Sequence, residues 1–165
     1  MQIDDRTILY KVAEEFGLKR VNTKERLKLQ KTIYLLQAYG LKLGYGFSWY
    51  KYGPYSQDLV YDAYAVLGPE KYNYEKSASM WNFSQNCLKK FEEFKKICGD
   101  ILRSAEDLEL VASVDYIRST WYPSAERSDI VRLLKRHKMH FFNGQPIPDE
   151  KISKAFDISY RLRQT

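Results

Sequence analysis

The sequence predicts a mainly α-helical protein: about seven helices in a single compact domain spanning residues 1–165, with a small β-hairpin or wing-like element. Three observations predict it. Apolar residues recur at three- and four-residue spacing in successive stretches, each bracketed by a capping residue and a glycine or proline stop. One stretch breaks that period: the glycine-rich residues 40–46 lead into the aromatic residues 47–52, which read as a strand. Finally, 165 residues with 44% apolar content suffice to bury one core.

The first helix is expected over residues 5–16, where Ile8, Leu9, Val12, Ala13 and Phe16 share a face. Asp4 or Asp5 caps it and Gly17 ends it. The second starts at Asn22 or Thr23 and runs to about Tyr39, with Gly40 as its stop. It is amphipathic at first, then apolar on nearly all sides from Ile33 to Tyr39, which marks it as the central core helix. Gly53-Pro54 breaks the strand that follows. Ser56 then caps a third helix carrying Leu59, Val60, Ala63, Tyr64 and Leu67 in one stripe, closed by Gly68-Pro69.

Residues 70–83 are less regular. Tyr72 and Tyr74 alternate with polar residues, and Met80-Trp81-Asn82-Phe83 can pair with them as a short hairpin. A fourth helix is capped by Ser84, turns Cys87, Leu88, Phe91, Phe94 and Cys98 inward, and ends at Gly99. The fifth begins near Ser104, carries Leu110, Val111, Val114, Ile117 and Trp121, and stops before Pro123. The sixth covers residues 124–137, with Ile130, Val131 and Leu134 inward. Residues 139–142 form an apolar connector and residues 143–146 a turn. The seventh opens at Pro148 and buries Ile152, Ala155, Phe156 and Ser159, while the tail, residues 161–165, is expected to fray.

Composition excludes some classes. No run approaches the roughly 20 apolar residues of a membrane span, and the acidic, polar start does not read as a secretory signal. Cys87 and Cys98 fall about 16 Å apart along one helix, too far for a disulfide, and read as buried thiols of a reducing cytoplasm. Net charge is +6. Six bases (Lys19, Arg20, Lys24, Arg26, Lys28 and Lys31) crowd one short stretch against a single acid, Glu25, and Arg132, Lys135, Arg136, His137 and Lys138 form a second cluster. Such patches attract nucleic acid, acidic proteins or anionic membrane, although solvated helix faces are the commoner explanation.

No phosphate loop, dinucleotide fingerprint, CxxC, HExxH or nucleophile elbow is present. His137 and His140 stand in H-x-x-H spacing, with no acidic or thiol partner nearby to complete a zinc site. Acid pairs such as Asp4-Asp5 and Asp149-Glu150 sit where the helix dipole explains them. The expectation is therefore a non-enzyme with no cofactor and no metal.

The corner Tyr52-Gly53-Pro54-Tyr55 asks for an explanation. Gly53 precedes proline and is steered toward extended backbone. Pro54 fixes its own φ, so two tyrosines are held on a stiff turn, which lowers the entropy cost of a contact. Fourteen tyrosines in the chain suit half-buried surfaces of this kind. Rings packed against the second helix are the competing account.

Lys28-Leu29-Gln30-Lys31 with Ile33-Tyr34, followed by Trp49-Tyr50-Lys51-Tyr52-Gly53-Pro54-Tyr55-Ser56 and Leu59, resembles the motif pair of the Panacea-domain or SocA-like antitoxin group and its YwgA-like relatives. The later stretch from Leu108 to Ile117 is similar to that group's "LE-hydrophobic-ASV" helix. The chain departs from the group at Thr32, where an apolar residue is usual, and in residues 70–83. The resemblance implies a small cytoplasmic helical protein that binds a partner protein, a toxin encoded alongside it, and neutralises it or delivers it to a protease. It implies no cofactor and no catalytic residue. Lys28, Gln30, Lys31 and Tyr34 carry over as motif positions, and so do Trp49, Tyr52, Gly53, Pro54 and Tyr55; the corner itself, Trp49, Lys51, Tyr52, Gly53, Pro54 and Tyr55, is the candidate partner-binding surface. The alternative is a winged-helix-like nucleic-acid-binding domain, with Lys24, Arg26, Lys28 and Lys31 on phosphates and the aromatic strand as wing. Against it, the second half of the helix is too apolar to lie in a groove.

Overall fold

Helix α1 (Asp5–Phe16) opens where the Asp4 carboxylate accepts the Thr7 backbone N–H at 2.8 Å. Asn22 does the same for α2 (Thr23–Tyr39), accepting from the Glu25 N–H at 2.9 Å. The computed structural model describes residues 4–138, without the Lys138 side chain, and residues 145–164. From Leu29 to Leu36 every residue of α2 is buried, and Ile33, Leu35 and Leu36 are inaccessible to solvent. This is the central helix the apolar run predicts. Its main neighbour is α6 (Ala105–Tyr116), in which every residue from Leu108 onward is buried. Helix α8 (Asp149–Arg163) packs along α6 and touches α2.

Strands β1 (Ser48–Tyr50) and β2 (Gly53–Tyr55) form a two-stranded antiparallel hairpin in the register Ser48–Tyr55, Trp49–Pro54, Tyr50–Gly53. The expected chain break at Gly53-Pro54 is corrected: these residues begin β2, and Lys51 and Tyr52 form the tip. Gly53 is not extended either. Its φ is +91°, a conformation that strains any residue with a Cβ. Helix α3 (Gln57–Leu67) follows, with Ser56 Oγ accepting the Leu59 N–H at 3.3 Å. Its buried stripe is Leu59, Ala63 and Val66, whereas Tyr64, expected inward, is 56% exposed. A Cβ at Gly68 would overlap the Tyr64 carbonyl, so α3 closes there on glycine.

The expected hairpin in residues 70–83 is instead α4 (Tyr72–Ser79), packed on α1. The alternation of Tyr72 and Tyr74 misled because Tyr72 is exposed, while Ala78 faces inward. Trp81 and Phe83 do not pair as a strand. Their rings stack edge-on at 4.7 Å, and Phe83 meets Phe91 at 4.9 Å, sealing the start of α5 (Gln85–Cys98). Eight α-helices are thus present among the described residues, one more than the periodicity predicts.

A 3₁₀ turn, Gly99–Arg103, joins α5 to α6, and α6 runs on into a π-helical turn, Ile117–Trp121, before Pro123. Helix α7 (Arg127–Lys138) starts three residues later than expected, and Pro148 precedes α8 rather than opening it. The expected fraying of the tail is corrected too: Leu162 is fully buried and Arg163 is bonded to α6. The apolar connector at 139–142, the first half of the turn at 143–146 and His140 lie outside the described residues. Both cysteines are free. Cys98 is buried, its thiol pushed up to about 12 by burial, but Cys87 is only half-buried. No helix among the described residues is long and apolar enough to cross a membrane.

Candidate protein-interaction surface

The hairpin is fixed from below by two polar side chains of α2 that lie inside the core. Gln30, 5% exposed, spans the backbone of Ser56: its Nε2 donates to the Ser56 carbonyl at 2.8 Å, and its Oε1 accepts the Ser56 N–H at 3.0 Å. It satisfies the buried backbone of the residue that joins β2 to α3. At the next position of α2, the Lys31 ammonium, 1% exposed, donates to the Pro54 carbonyl at 2.6 Å. A charged group held to a backbone carbonyl forms a strong contact in a low-dielectric setting.

Gln30→Ala is expected to cost about 2 kcal/mol, because it leaves the buried Ser56 N–H without a partner and the Ser56 carbonyl with only the Val60 N–H, at 3.3 Å. Urea unfolding checks this. A loss below about 0.5 kcal/mol, the range of a surface change, contradicts the role of Gln30 as a clamp.

Tyr34 ties the same helix to the other half of the fold. Its hydroxyl donates to Asp115 Oδ2 at 2.7 Å, across 81 residues of sequence. Asp115 is inaccessible to solvent and accepts three further bonds, from Ser159 Oγ at 2.7 Å and from Arg163 Nε at 2.9 Å and Nη2 at 2.7 Å. Burial, and then the Asp115 charge, hold the Tyr34 phenol well above its ordinary value. The Arg163 guanidinium is raised mainly by its bonds to Asp115. Two stretches that stood apart in the sequence, the Lys28–Tyr34 motif and the helix containing Asp115, thus meet in one buried network.

The candidate corner residues divide between two faces. Trp49 is half-buried, with its ring 4.5 Å from Trp121 and 5.8 Å from Tyr116, and Gly53 and Pro54 are buried. These three support the corner from inside. Lys51 and Tyr52 are exposed and Tyr55 is half-buried. Tyr50, missed among the candidates, is 62% exposed and its ring lies 5.3 Å from that of Tyr55. Strand alternation carries the missing signal: if Trp49 faces inward, Tyr50 faces outward.

A groove of about 290 Å³ runs between the first half of α2, the hairpin and α3. Leu27, Leu29, Val60 and Ala63 line it together with the rings of Tyr50, Tyr52 and Tyr55; Gln30 and Lys31 reach its base, and Arg20, Thr23 and Arg26 complete it. No acidic residue lines it.

The basic stretch is less basic at the surface than in the sequence. Lys31 is 1% exposed at the base of the groove, its ammonium held by the Pro54 carbonyl. Lys24 pairs with Glu106 and Lys28 with Glu25, each at 3.6 Å. Arg26 is exposed and makes one long bond, to Thr23 Oγ1 at 3.4 Å. In the later cluster Arg132 pairs with Asp129 at 3.5 Å and Lys135 with Asp149 at 3.6 Å, while Arg136 and His137 are exposed. Among the described residues no group of three or more His, Cys, Asp or Glu side chains is placed to hold a metal. Comparison with protein-family models, with curated proteins and with solved structures finds no match.

Proposed function

We propose that this chain is a non-enzymatic, cytoplasmic protein-binding module of the antitoxin or proteolytic-adaptor kind, which neutralises a partner protein, a toxin, through the outer face of the hairpin and the groove beside it. The observation that carries this reading is the division of labour in the corner. Gln30 and Lys31 hold the backbone of the corner from the base of an open groove, and the rings of Tyr50, Tyr52 and Tyr55 line the same groove above them. Tyrosines on a fixed backbone present a large contact area with few rotatable bonds, the composition that dominates many interfaces. The resemblance of the two sequence motifs to the Panacea-domain group supports the choice of partner class. It carries Gln30, Lys31 and Tyr34 over as motif positions, and their burial suits a supporting role.

The nucleic-acid alternative is left with few cations. Of its four bases one is buried and two are paired with carboxylates. Phosphate contacts set affinity and its salt slope. The wild type is therefore expected to bind duplex DNA weakly and without sequence preference, and a Lys24/Arg26/Lys28→Ala variant to change this little. Tight, sequence-specific binding at physiological salt overturns the protein-binding reading. The direct test is recovery of a partner from the native cell by the tagged full chain, followed by co-expression. The recovered protein should be toxic alone and harmless with the wild type. Tyr55→Ala should fail to protect while folding normally.

A further inference from the structure

Resting on the protein-binding reading above, we propose that the groove takes an acidic segment of the partner: one large apolar side chain seated in the groove, with flanking carboxylates on Arg20 and Arg26. The floor supplies the first half of this. Leu27, Leu29, Val60 and Ala63 line the cavity, and its volume of about 290 Å³ suits a single anchoring side chain. It lies at the small end of the roughly 300–1,000 Å³ typical of small-molecule sites.

Charge supplies the second half. The groove is lined by Arg20 and Arg26, by Lys31 at its base, where the Pro54 carbonyl holds the ammonium, and by no acid. The neighbouring lysines each have a carboxylate beside them, Lys24 with Glu106 and Lys28 with Glu25, each pair at 3.6 Å. Among the described residues no carboxylate pairs with Arg20 or Arg26. Arg20 is pre-positioned, its guanidinium carbon 4.6 Å above the centre of the Tyr64 ring. A guanidinium stacked by its face keeps its N–H edges available, and those edges match a carboxylate with two parallel bonds.

A basic partner is repelled at such a rim, and a neutral one gains only the apolar contact. Phosphates are drawn to the same two arginines. A nucleic-acid strand, however, needs a row of cations along its backbone, and the pairing and burial of Lys24, Lys28 and Lys31 interrupt that row.

The experiment is backbone-amide NMR of the isotope-labelled full chain, titrated with four probes. These are a glutamate-flanked peptide with a central tryptophan, its lysine-flanked twin, its twin with serine in place of tryptophan, and a single-stranded DNA oligonucleotide. The glutamate-tryptophan peptide alone should shift the amides of Leu27, Leu29, Val60 and Ala63. Arg20→Glu and Arg26→Glu should each weaken it by about tenfold, the scale of a lost charge-assisted contact, with amide shifts elsewhere unchanged. The proposal is overturned by equal binding of the lysine or serine twin, by shifts confined to another face, by no shift with any peptide, or by tighter groove binding of the oligonucleotide. A cellular partner that depends on Tyr52 and Tyr55 but ignores both arginine variants removes this proposal and leaves the protein-binding reading intact. A partner that depends on neither the arginines nor the tyrosines removes both.

Discussion

Arg163→Ala is expected to destabilise the fold by about 3 kcal/mol, although the residue stands two positions from the end of the chain. The cost comes from what remains. Asp115 is fully buried and would keep two neutral donors, Tyr34 and Ser159, after losing both bonds to the guanidinium. An uncompensated charge in the interior costs about 3–5 kcal/mol. The lower end applies here because the Arg163 side chain is itself 38% exposed, so solvent already weakens the pair. Arg163→Lys should recover part of the loss, because an ammonium keeps the charge but not the two-pronged geometry. Gln164→Ala, one residue on, should stay within about 0.5 kcal/mol of wild type. Chemical denaturation of the three variants checks the set. Equal, small effects at 163 and 164 contradict the network.

Leu36→Ala is expected to cost about 2–5 kcal/mol, the sum of lost transfer energy and a cavity that its neighbours cannot close. Leu36 is inaccessible to solvent and belongs to the run of eight buried residues from Leu29 to Leu36. Helix α2 also anchors the hairpin and Tyr34, so the loss should come with lower hydrogen-exchange protection at Ser56 and Leu59, whose N–H groups are held by Gln30 and Ser56. A measured loss below 1 kcal/mol shows that α2 is not the centre of the fold.

Much of this architecture was legible in the residues. Asp4, Asn22, Ser56, Ser84 and Ser104 each cap the helix their position suggests, because a short polar side chain before an apolar period has one cheap partner, the free N–H two or three residues on. Residues 70–83 were illegible for the opposite reason. Helix α4 turns only Ala78 fully inward, so its sequence holds no stripe to read, and its tyrosines imitate a strand. The tail misled because nothing local distinguishes Arg163 from a solvated arginine. Its partner lies 48 residues away.

The candidate site was half legible. The Gly-Pro corner announced itself, but which rings face outward depends on the register of a strand pair only three residues long. Lys31 is the sharpest case. In the sequence it belongs to a run of bases. In the fold it is the one whose helical position falls under Pro54, where burial and a carbonyl acceptor convert a surface charge into a support. Charge counting treats the six bases alike, and tertiary position separates them.

The central claim is that the rings of the corner bind while the residues beneath them hold it in place. Parallel measurement of partner affinity and thermal unfolding in Tyr52→Ala and Tyr55→Ala tests it most directly. Tyr52 is 37% exposed and Tyr55 half-buried at the groove, so neither removal opens the core. The account predicts that Tyr55→Ala weakens binding of the co-purified partner by about 2 kcal/mol or more, Tyr52→Ala by less, with melting temperatures near wild type. Melting temperatures that fall in both variants while affinity stays intact contradict it: the rings are then part of the core, and the binding surface lies elsewhere, with the basic face of α7 around Arg132 and Arg136 the first place to look.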